Sequence, residues 1–369
     1  MKRFGDLYAN ICTFDSLLQA FYKARKSKRN ASNVAAFEVN LEYELFQLKE
    51  ELERETYQPG PYRTFFIHDP KKRMISAAPF RDRVVHHALC NVIEPIFEKT
   101  LIADTYANRK GKGTHAGIRR CQAFMHQYDF VLKADIRKYF PCIDHAILKR
   151  LIARKIKCPR TLRLINLIID NSNPQEPAPD YFPGDDLFSP ATRRKGLPMG
   201  NLTSQFFANL YLSPLDHFVK EELGFKGYVR YVDDFLLFAS DKSRLHQARE
   251  AVRSFLAQEL RLLLHPRKCE VFPVRDGVTF LGQRIFLTHR RLRRENVQRF
   301  RRRLRLRLEQ LRKGELSAAK LECQLNSWLG HARQADTWRL RRKCINQLRQ
   351  QGVHVVEARA GGWVVLGVL

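Results

Sequence analysis

Long apolar runs and paired cysteines are both missing from this 369-residue sequence. No uninterrupted apolar stretch reaches the roughly 18 residues that a membrane-spanning helix needs. Residues 1–20 mix charged with apolar residues and lack the apolar core of a secretory signal. The eight cysteines are scattered without a C-x-x-C pair, which favours reduced thiols over disulfides or a zinc site. We therefore expect a cytoplasmic protein without a membrane partner.

Acidic residues are scarce relative to basic ones. Lys and Arg number 66 against 38 Asp and Glu, which gives a net charge of +28. Such an excess of positive charge is usually neutralised by phosphate, either in nucleic acid or on an anionic membrane. Nucleic acid is favoured because the sequence has no membrane-spanning segment. A merely charged, solvated surface is the alternative. The excess is clustered, however, since residues 290–350 hold 19 Lys and Arg against five acidic residues.

The spacing of apolar residues predicts a mixture of helices and strands. Helices are predicted over residues 1–56, 81–100, 144–156, 201–222, 243–262 and within 290–350. Strands are predicted over 62–77 (a hairpin with a basic tip at 69–72), 128–136, 227–239 (a hairpin) and 278–286. Five prolines within 172–191 predict a long irregular loop. The apolar tail 353–369 has no assigned role.

Two adjacent carboxylates, Asp233 and Asp234, interrupt an apolar, β-prone run from Tyr228 to Ala239. A buried, unpaired carboxylate is costly, so the pair needs solvent at a turn, a cation or a metal. Asp135 ends a second apolar strand. Two strands that deliver acids to one edge of a sheet can gather three carboxylates around Mg²⁺. Two ions about 4 Å apart can then catalyse phosphoryl transfer.

The segment Tyr231–Asp234 resembles the signature hairpin of reverse transcriptases, and Lys133–Phe140 resembles the first catalytic motif of that family. The resemblance implies an RNA-directed DNA polymerase that uses two Mg²⁺ ions, with Mn²⁺ as a substitute. It implies that Asp135 and Asp233 are the chief metal ligands, that Asp234 completes the acidic cluster, and that the Ile136 carbonyl also touches metal. Phe140 matches the steric gate that selects deoxynucleotides, with simple core packing as the alternative.

The resemblance also implies an α+β fold: a right-hand polymerase with fingers and palm, built from an antiparallel sheet packed on helices, and an α-helical thumb. The expected boundaries are an N-terminal helical extension over 1–56 and mainly fingers over 57–134. The palm is expected over 135–288, with remaining fingers elements and an insertion loop at 172–196. A basic helical thumb is expected over 289–350, followed by a tail of unknown role over 351–369.

Further segments resemble the family's nucleotide contacts. Lys72 and Arg73 match the segment that grips the incoming triphosphate, where a planar guanidinium can both stack and bind phosphate; Lys71 is a further candidate of uncertain register. Met199, Gly200 and Gln205 belong to the motif under the nascent base pair, and a glycine there allows close backbone approach. Lys268 matches a lysine proposed as general acid to pyrophosphate, with a surface lysine as the equal alternative.

Other resemblances concern the template–primer duplex. They cover a basic, glycine-rich loop (alternatively only solvated), a hairpin that resembles the primer grip, and the basic helices of the thumb. The residues implied to contact template or primer are Arg109, Lys110, Lys112, Gly282, Arg301, Arg302 and Arg303. Binding through phosphates should weaken steeply with salt.

Many family members have Gln where this sequence has Met199, and Ser-Pro where it has Ser204-Gln205. With the segments 181–188 and 327–332, these departures resemble reverse transcriptases of diversity-generating retroelements. That resemblance implies copying of a template RNA with errors at adenines, dNTP substrates, and a basic oligomeric accessory protein, in a bacterium, archaeon or phage. Glutamine could fix the nucleotide sugar by a hydrogen bond, whereas the flexible methionine cannot. We therefore predict that Met199 and Arg73 set the fidelity.

Four alternatives stay open. Retron, group II intron-like and phage-defence reverse transcriptases share the chemistry. We expect no room for an obvious endonuclease or a long maturase extension in 369 residues, which counts against the intron type. An inactive RNA-binding remnant is a different class, and the presence of all three acids argues against it. Flanking DNA and a primer-extension assay would separate these possibilities.

Overall fold

The computed structural model describes residues 2–68, 72–173, 180–357 and 363–368. The chain divides into two compact units. The first comprises residues 1–113, 132–237 and 243–271, and the second comprises 114–131, 238–242 and 272–369. Helices and antiparallel hairpins occur in both, which confirms the predicted α+β class. None of the helices in the described ranges has the length and apolar character needed to cross a membrane.

The first unit begins with four helices: α1 (Tyr8–Cys12), α2 (Phe14–Arg25), α3 (Ser32–Val39) and α4 (Leu41–Glu53). The Thr13 side chain caps α2 by accepting a hydrogen bond from the Ser16 N–H at 3.2 Å. Leu45, Leu48 and Leu52 of α4 are fully buried, as their helical spacing predicts. The predicted helical character of residues 1–56 is therefore confirmed.

A hairpin and a long helix follow. Strands β1 (Arg63–Ile67) and β2 (Arg73–Ala77) pair in antiparallel register, and α5 (Phe80–Glu98) comes next. This confirms the predicted hairpin and helix. The predicted basic tip falls mostly on residues 69–71, which lie outside the described residues.

A four-stranded sheet has the order β4-β5-β3-β6. Its strands are β3 (Phe130–Asp135), β4 (Tyr228–Tyr231), β5 (Asp234–Ala239) and β6 (Glu270–Pro273). Between β3 and β4 lie α7 (Tyr139–Cys142), α8 (His145–Ala153), α9 (Pro159–Asp170), α10 (Ser189–Thr192), α11 (Leu202–Tyr211), α12 (Ser213–His217) and a π-helix (Phe218–Glu222). The helix α6 (Thr114–Met125) precedes β3, and the helix α13 (Lys242–Leu260) follows β5.

Two features of this region differ from the sequence-based expectation. The single helix predicted over 201–222 is interrupted after Tyr211, because Pro214 has no N–H to continue the hydrogen-bond ladder. The predicted irregular loop contains the short helix α10. Asp144 caps α8 by accepting a hydrogen bond from the Ile147 N–H at 3.1 Å, at the start of the helix predicted from residue 144.

The second unit contains a three-stranded sheet and three long helices. After a 3₁₀ turn (Val274–Asp276), the strands are β7 (Val278–Phe280), β8 (Gln283–Ile285) and β9 (Arg290–Leu292). The helices are α14 (Arg294–Arg312), α15 (Ala318–Ala332) and α16 (Trp338–Gln350). The single strand predicted over 278–286 is wrong, because Leu281 and Gly282 have φ values of 48° and 83° and reverse the chain.

The tail without an assigned role also folds. Strands β10 (Val353–Glu357) and β11 (Trp363–Val368) form an antiparallel hairpin. Val353, Val355 and Val365 join the buried cluster of leucines from α14, α15 and α16. The tail therefore completes the core of the helical region.

Candidate active site

The acid pair lies at the turn of an antiparallel hairpin. β4 and β5 pair so that Tyr231 faces Asp234, which leaves Val232 and Asp233 as the connecting residues. The apolar residues on both sides, including Val229 and Phe235, are fully buried. The hairpin is therefore held by the core, and its turn presents the acids. This confirms the predicted hairpin with two acids at its centre.

Asp135 ends β3, the strand next to β5 in the sheet. The backbone N–H of Ile136 donates to the carbonyl of Asp233 at 3.3 Å, which joins the two segments directly. Adjacent strands thus bring the first acid and the acid pair to one edge, as the two apolar runs predict. Ile136 itself is 1% exposed, and the predicted contact of its carbonyl with metal stays a prediction.

Burial and mutual repulsion both disfavour ionisation of the acid pair. Burial, together with the negative charge of Asp135, raises the pKa of Asp233 to about 6. Burial also raises the pKa of Asp234 to about 7; the Lys133 cation opposes this shift, and the charges of Asp135 and Asp233 add to it. One oxygen of Asp234, Oδ1, is buried without a hydrogen-bond partner among the described residues. A cation is the natural partner of such a cluster.

The donor chemistry of this cluster fits Mg²⁺, which binds a few carboxylates and keeps water or phosphate in its remaining positions. Within the described part of the chain, no three Asp, Glu, His or Cys side chains already form a ligand set. Asp135 Oδ2 instead accepts a hydrogen bond from Lys268 Nζ at 2.7 Å. In this arrangement, an ammonium group neutralises the first acid.

Backbone hydrogen bonds hold the Lys268 segment beside β3. The N–H of His265 donates to the Asp135 carbonyl at 2.7 Å, and the N–H of Arg137 donates to the Leu263 carbonyl at 2.8 Å. The Lys268 side chain is 40% exposed, so it contacts both an acid and solvent. Its role as a general acid stays a prediction.

The β1–β2 hairpin brings another cation near the acids. Arg73, the first residue of β2, is exposed. Its positive charge lowers the pKa of Asp233 and so opposes the larger effect of burial. Lys72 Nζ lies over the Phe66 ring, 4.6 Å from its centroid. The nucleotide contacts of Lys72 and Arg73 stay predictions, and Lys71 lies outside the described residues.

The segment after Pro198 is hydrogen-bonded to β2. The Ser76 N–H donates to the Met199 carbonyl at 2.9 Å, and Asn201 Nδ2 donates to the Ser76 carbonyl at 2.9 Å. Gly200 has a φ of 118°, and a Cβ there would lie 3.0 Å from Ile75 Cγ2. Glycine is therefore required by its backbone conformation and by a neighbouring strand, in addition to any approach to substrate.

Asn201 joins the segment after Pro198 to β2 and Ala78, a link that the sequence pattern does not indicate. An asparagine at the start of a helix normally caps that helix. Here its side chain makes no cap to α11. It donates to Ser76, and its Oδ1 accepts from the Ala78 N–H at 3.1 Å. The long-range contact with β2 has no local signal in the sequence.

Phe140 and Gln205 are two further predicted nucleotide contacts near the segment after Pro198. Phe140 is half-buried in α7, and its carbonyl accepts from the Leu197 N–H at 2.9 Å. Gln205 is exposed in the first turns of α11. The steric-gate role of Phe140 and the nucleotide contact of Gln205 stay predictions.

The basic residues of the glycine-rich loop have different environments. The Arg109 guanidinium donates to Glu98 at 2.6 Å and to two backbone carbonyls, which commits this side chain to the fold of its own loop. Lys112 donates to the Ala103 carbonyl at 2.8 Å. Lys110 is exposed. Of the three, Lys110 has the environment that best suits contact with a template.

The remaining predicted duplex contacts lie in the second unit. Gly282 occupies the β7–β8 turn, and its carbonyl accepts from Asn296 Nδ2 at 3.2 Å, which ties the turn to α14. Arg301, Arg302 and Arg303 are exposed on α14. Their contacts with template or primer stay predictions.

Comparisons with known proteins identify the family to which this chain is similar. A family profile described as reverse transcriptase (RNA-dependent DNA polymerase) matches residues 67–285. Protein YkfC of Escherichia coli (strain K12) is 26% identical over 292 residues, which cover 69% of this chain and 74% of YkfC. The group II intron-encoded protein LtrA of Lactococcus lactis subsp. cremoris is 26% identical over 167 residues, which cover 44% of this chain and only 26% of LtrA. A solved structure of apo telomerase from Candida tropicalis, truncated from the C-terminal domain, aligns with a TM-score of 0.47 and 14% identity over 66% of this chain and 59% of that chain.

Proposed function

The chain belongs to the reverse transcriptase family, the RNA-dependent DNA polymerases, and we propose that Asp135, Asp233 and Asp234 are its metal-binding acids. The observation that carries this proposal is the half-buried acid cluster at one edge of the sheet, where β3 and the β4–β5 hairpin bring the three acids together. Burial raises the pKa of Asp233 and Asp234, and the charge of Asp135 adds to both shifts. One oxygen of Asp234 has no hydrogen-bond partner among the described residues. A divalent cation would satisfy that oxygen and favour the ionised carboxylates.

The residues around the cluster have distinct proposed roles. Two bound Mg²⁺ ions would activate the primer 3′-hydroxyl and stabilise the leaving oxygen. Arg73 would bind the triphosphate, because its cation already acts on Asp233. Lys268 would leave Asp135 once that carboxylate is neutralised by a cation, and would then protonate the pyrophosphate. Phe140 would exclude a ribose 2′-hydroxyl.

Primer extension on an RNA template tests this proposal. Asp135→Asn and Asp233→Asn should each reduce kcat by about 10³-fold or more, because several kcal/mol of transition-state charge stabilisation are lost. Glu259→Gln, which changes an exposed carboxylate of α13, is the matched control and should extend the primer normally. Wild-type extension by either Asn variant would refute the metal-binding role.

We further propose that the product is an error-prone cDNA of a diversity-generating retroelement. Met199 stands where a glutamine could hydrogen-bond the nucleotide sugar. Its carbonyl accepts a hydrogen bond from Ser76 of β2, the strand that begins with Arg73. Met199→Gln should therefore lower the error rate at template adenines, and Met199→Leu, which stays apolar, should not. Sequencing of cDNA measures both. An unchanged adenine error rate in Met199→Gln would contradict the role of Met199.

A basic accessory protein is the proposed partner for this role. The loop after residue 180 exposes Tyr181, Leu187 and Phe188 by 58%, 73% and 69%. Ion pairs of Arg193 with Asp185 and Asp144 hold this loop. Exposed apolar side chains on a fixed loop are typical of a protein interface, and co-purification of the two proteins, lost on Phe188→Ser, would support this partner.

The second candidate is a group II intron-type reverse transcriptase, which the similarity to LtrA favours. The DNA that flanks the gene would distinguish the retroelement enzyme from the intron-type enzyme. Near-identical repeats that differ at adenines would indicate the retroelement, whereas intron boundaries around the gene would indicate the second candidate.

A further inference from the structure

The turn that carries Asp233 has a backbone conformation that its sequence does not favour. Val232, the first of the two connecting residues, has a φ of 56°. β-Branched residues rarely occupy this left-handed region. Two-residue hairpin loops with this geometry normally place glycine at the first position. Contacts from outside the turn must therefore help to hold Val232 in place.

A buried arginine makes such a contact. Arg230 is fully buried two residues before Val232. Its guanidinium donates to the Val232 carbonyl at 3.0 Å, to both carboxylate oxygens of Asp216 at 2.6 Å, and to the side-chain and backbone oxygens of Asn209 at 3.1 Å. These bonds use all five N–H groups of the arginine. The side chain thus has one orientation in which it is fully satisfied.

Asp216, in α12, is fixed just as firmly. It is fully buried, and it accepts hydrogen bonds from Tyr228 Oη at 2.8 Å and Thr105 Oγ1 at 3.1 Å in addition to those from Arg230. Any rotation of Arg230 would leave a buried charge without its partner, which is strongly unfavourable. The donor that meets the Val232 carbonyl is therefore anchored to α12 and to the segment around Thr105.

Stability alone gives little reason for this ion pair, because apolar replacements of buried ion pairs are often neutral or stabilising. Its directed contact with the turn gives a reason. We propose that Arg230, held by Asp216, is a positioning residue that fixes the Val232 carbonyl and thereby keeps Asp233 beside Asp135. The inference rests on the proposed metal-binding role of Asp233 and adds the residue that sets the geometry of its turn.

Arg230→Lys tests this role, because lysine retains a cation for Asp216 but cannot span Asp216 and the Val232 carbonyl together. We expect kcat for primer extension to fall about 10–100-fold, since small displacements of a reacting group have effects of this size. The Mg²⁺ concentration for half-maximal rate should rise several-fold, and KM for dNTP should change by less than about threefold. Thermal unfolding and circular dichroism give the folded fraction used to normalise the rates.

Tyr228→Phe is the matched control. It removes one hydrogen bond from Asp216 but leaves the contact between Arg230 and Val232. Its stability should fall, whereas its kcat and Mg²⁺ dependence should stay within about twofold of the wild type. If Arg230→Lys does not fold, the double variant Arg230→Met/Asp216→Leu removes the same contact with apolar replacements, and the same kinetic loss is expected.

The outcomes distinguish the positioning role of Arg230 from the metal-binding role of Asp233. A folded Arg230 variant with wild-type kcat and Mg²⁺ dependence overturns the positioning role, and so does Tyr228→Phe with the same Mg²⁺ shift as Arg230→Lys. Extension retained by Asp233→Asn overturns the metal-binding role itself. Loss of extension in Asp233→Asn with an unaffected Arg230→Lys overturns the positioning role alone.

Discussion

Replacing Asp234 with Asn should stabilise the metal-free protein at neutral pH even as it removes polymerase activity. The pKa of Asp234 is raised from 3.8 to about 7 by burial. The folded state therefore binds a proton that the unfolded state has already released between about pH 4 and pH 7, and folding stability falls as pH rises through this range. Asparagine carries no charge and avoids this loss.

The size of the effect follows from the pKa difference. A shift of roughly three units at 1.36 kcal/mol each gives an upper bound of about 4 kcal/mol, and relaxation around the acid reduces it to about 2–4 kcal/mol. Urea unfolding in EDTA from pH 4 to pH 8 should show Asp234→Asn gaining on the wild type as pH rises. Saturating Mg²⁺ should reduce or reverse the difference, because the ion binds the wild-type carboxylate.

Glu259→Gln, at an exposed position of α13, is the control and should unfold like the wild type at pH 8. If Asp234→Asn were less stable than the wild type in EDTA at pH 8, the ionised Asp234 carboxylate would not destabilise the metal-free protein, and the raised pKa would be wrong.

Three further predictions concern Gly200, the exposed arginines of α14 and Lys268. Gly200→Ala should lower the free energy of unfolding by about 1–3 kcal/mol, because alanine disfavours a φ of 118° and its Cβ would crowd Ile75. Gly111→Ala is the control, because a Cβ there meets nothing within 4 Å, and it should cost less in the same thermal melt. An equal cost would contradict the crowding at Gly200. Replacing Arg301, Arg302 and Arg303 together with Gln should reduce the slope of log affinity for an RNA/DNA duplex against log salt by up to about 3; an unchanged slope in a filter-binding titration would remove these residues from the duplex interface. Lys268→Met should reduce kcat by about 10²–10⁴-fold and remove the alkaline limb of its pH profile, and a profile identical to the wild type would exclude a general acid at this position.

The positions of the acids could be predicted from the sequence because their signal is local. Asp135, Asp233 and Asp234 each adjoin a buried apolar strand, and an acid at the end of such a strand is visible in the residue pattern itself. The hairpin turn was visible for the same reason.

Residues that act through distant contacts could not be predicted in this way. Arg230 and Asp216 are 14 positions apart and meet only after α12 and β4 have packed together. Asn201 bonds to Ser76 across 125 positions. Arg109 has the charge expected of a template contact, but Glu98 and backbone carbonyls occupy its guanidinium. A sequence gives the charge of a side chain but does not show which partners the fold supplies.

The predicted helix and strand boundaries are wrong where a single backbone feature has more influence than the apolar spacing. Apolar residues continue at helical spacing past Pro214, yet the missing N–H interrupts the helix. Leu281 and Gly282 lie within an apolar, β-prone run, yet both adopt positive φ and form a turn.

A crystal structure of the protein with Mn²⁺, a primer–template duplex and an unreactive dNTP would show whether Asp135 and Asp233 share divalent cations. We expect two anomalous peaks about 4 Å apart that both contact these carboxylates, with Lys268 released from Asp135. Manganese held elsewhere, with Lys268 still paired to Asp135, would contradict it.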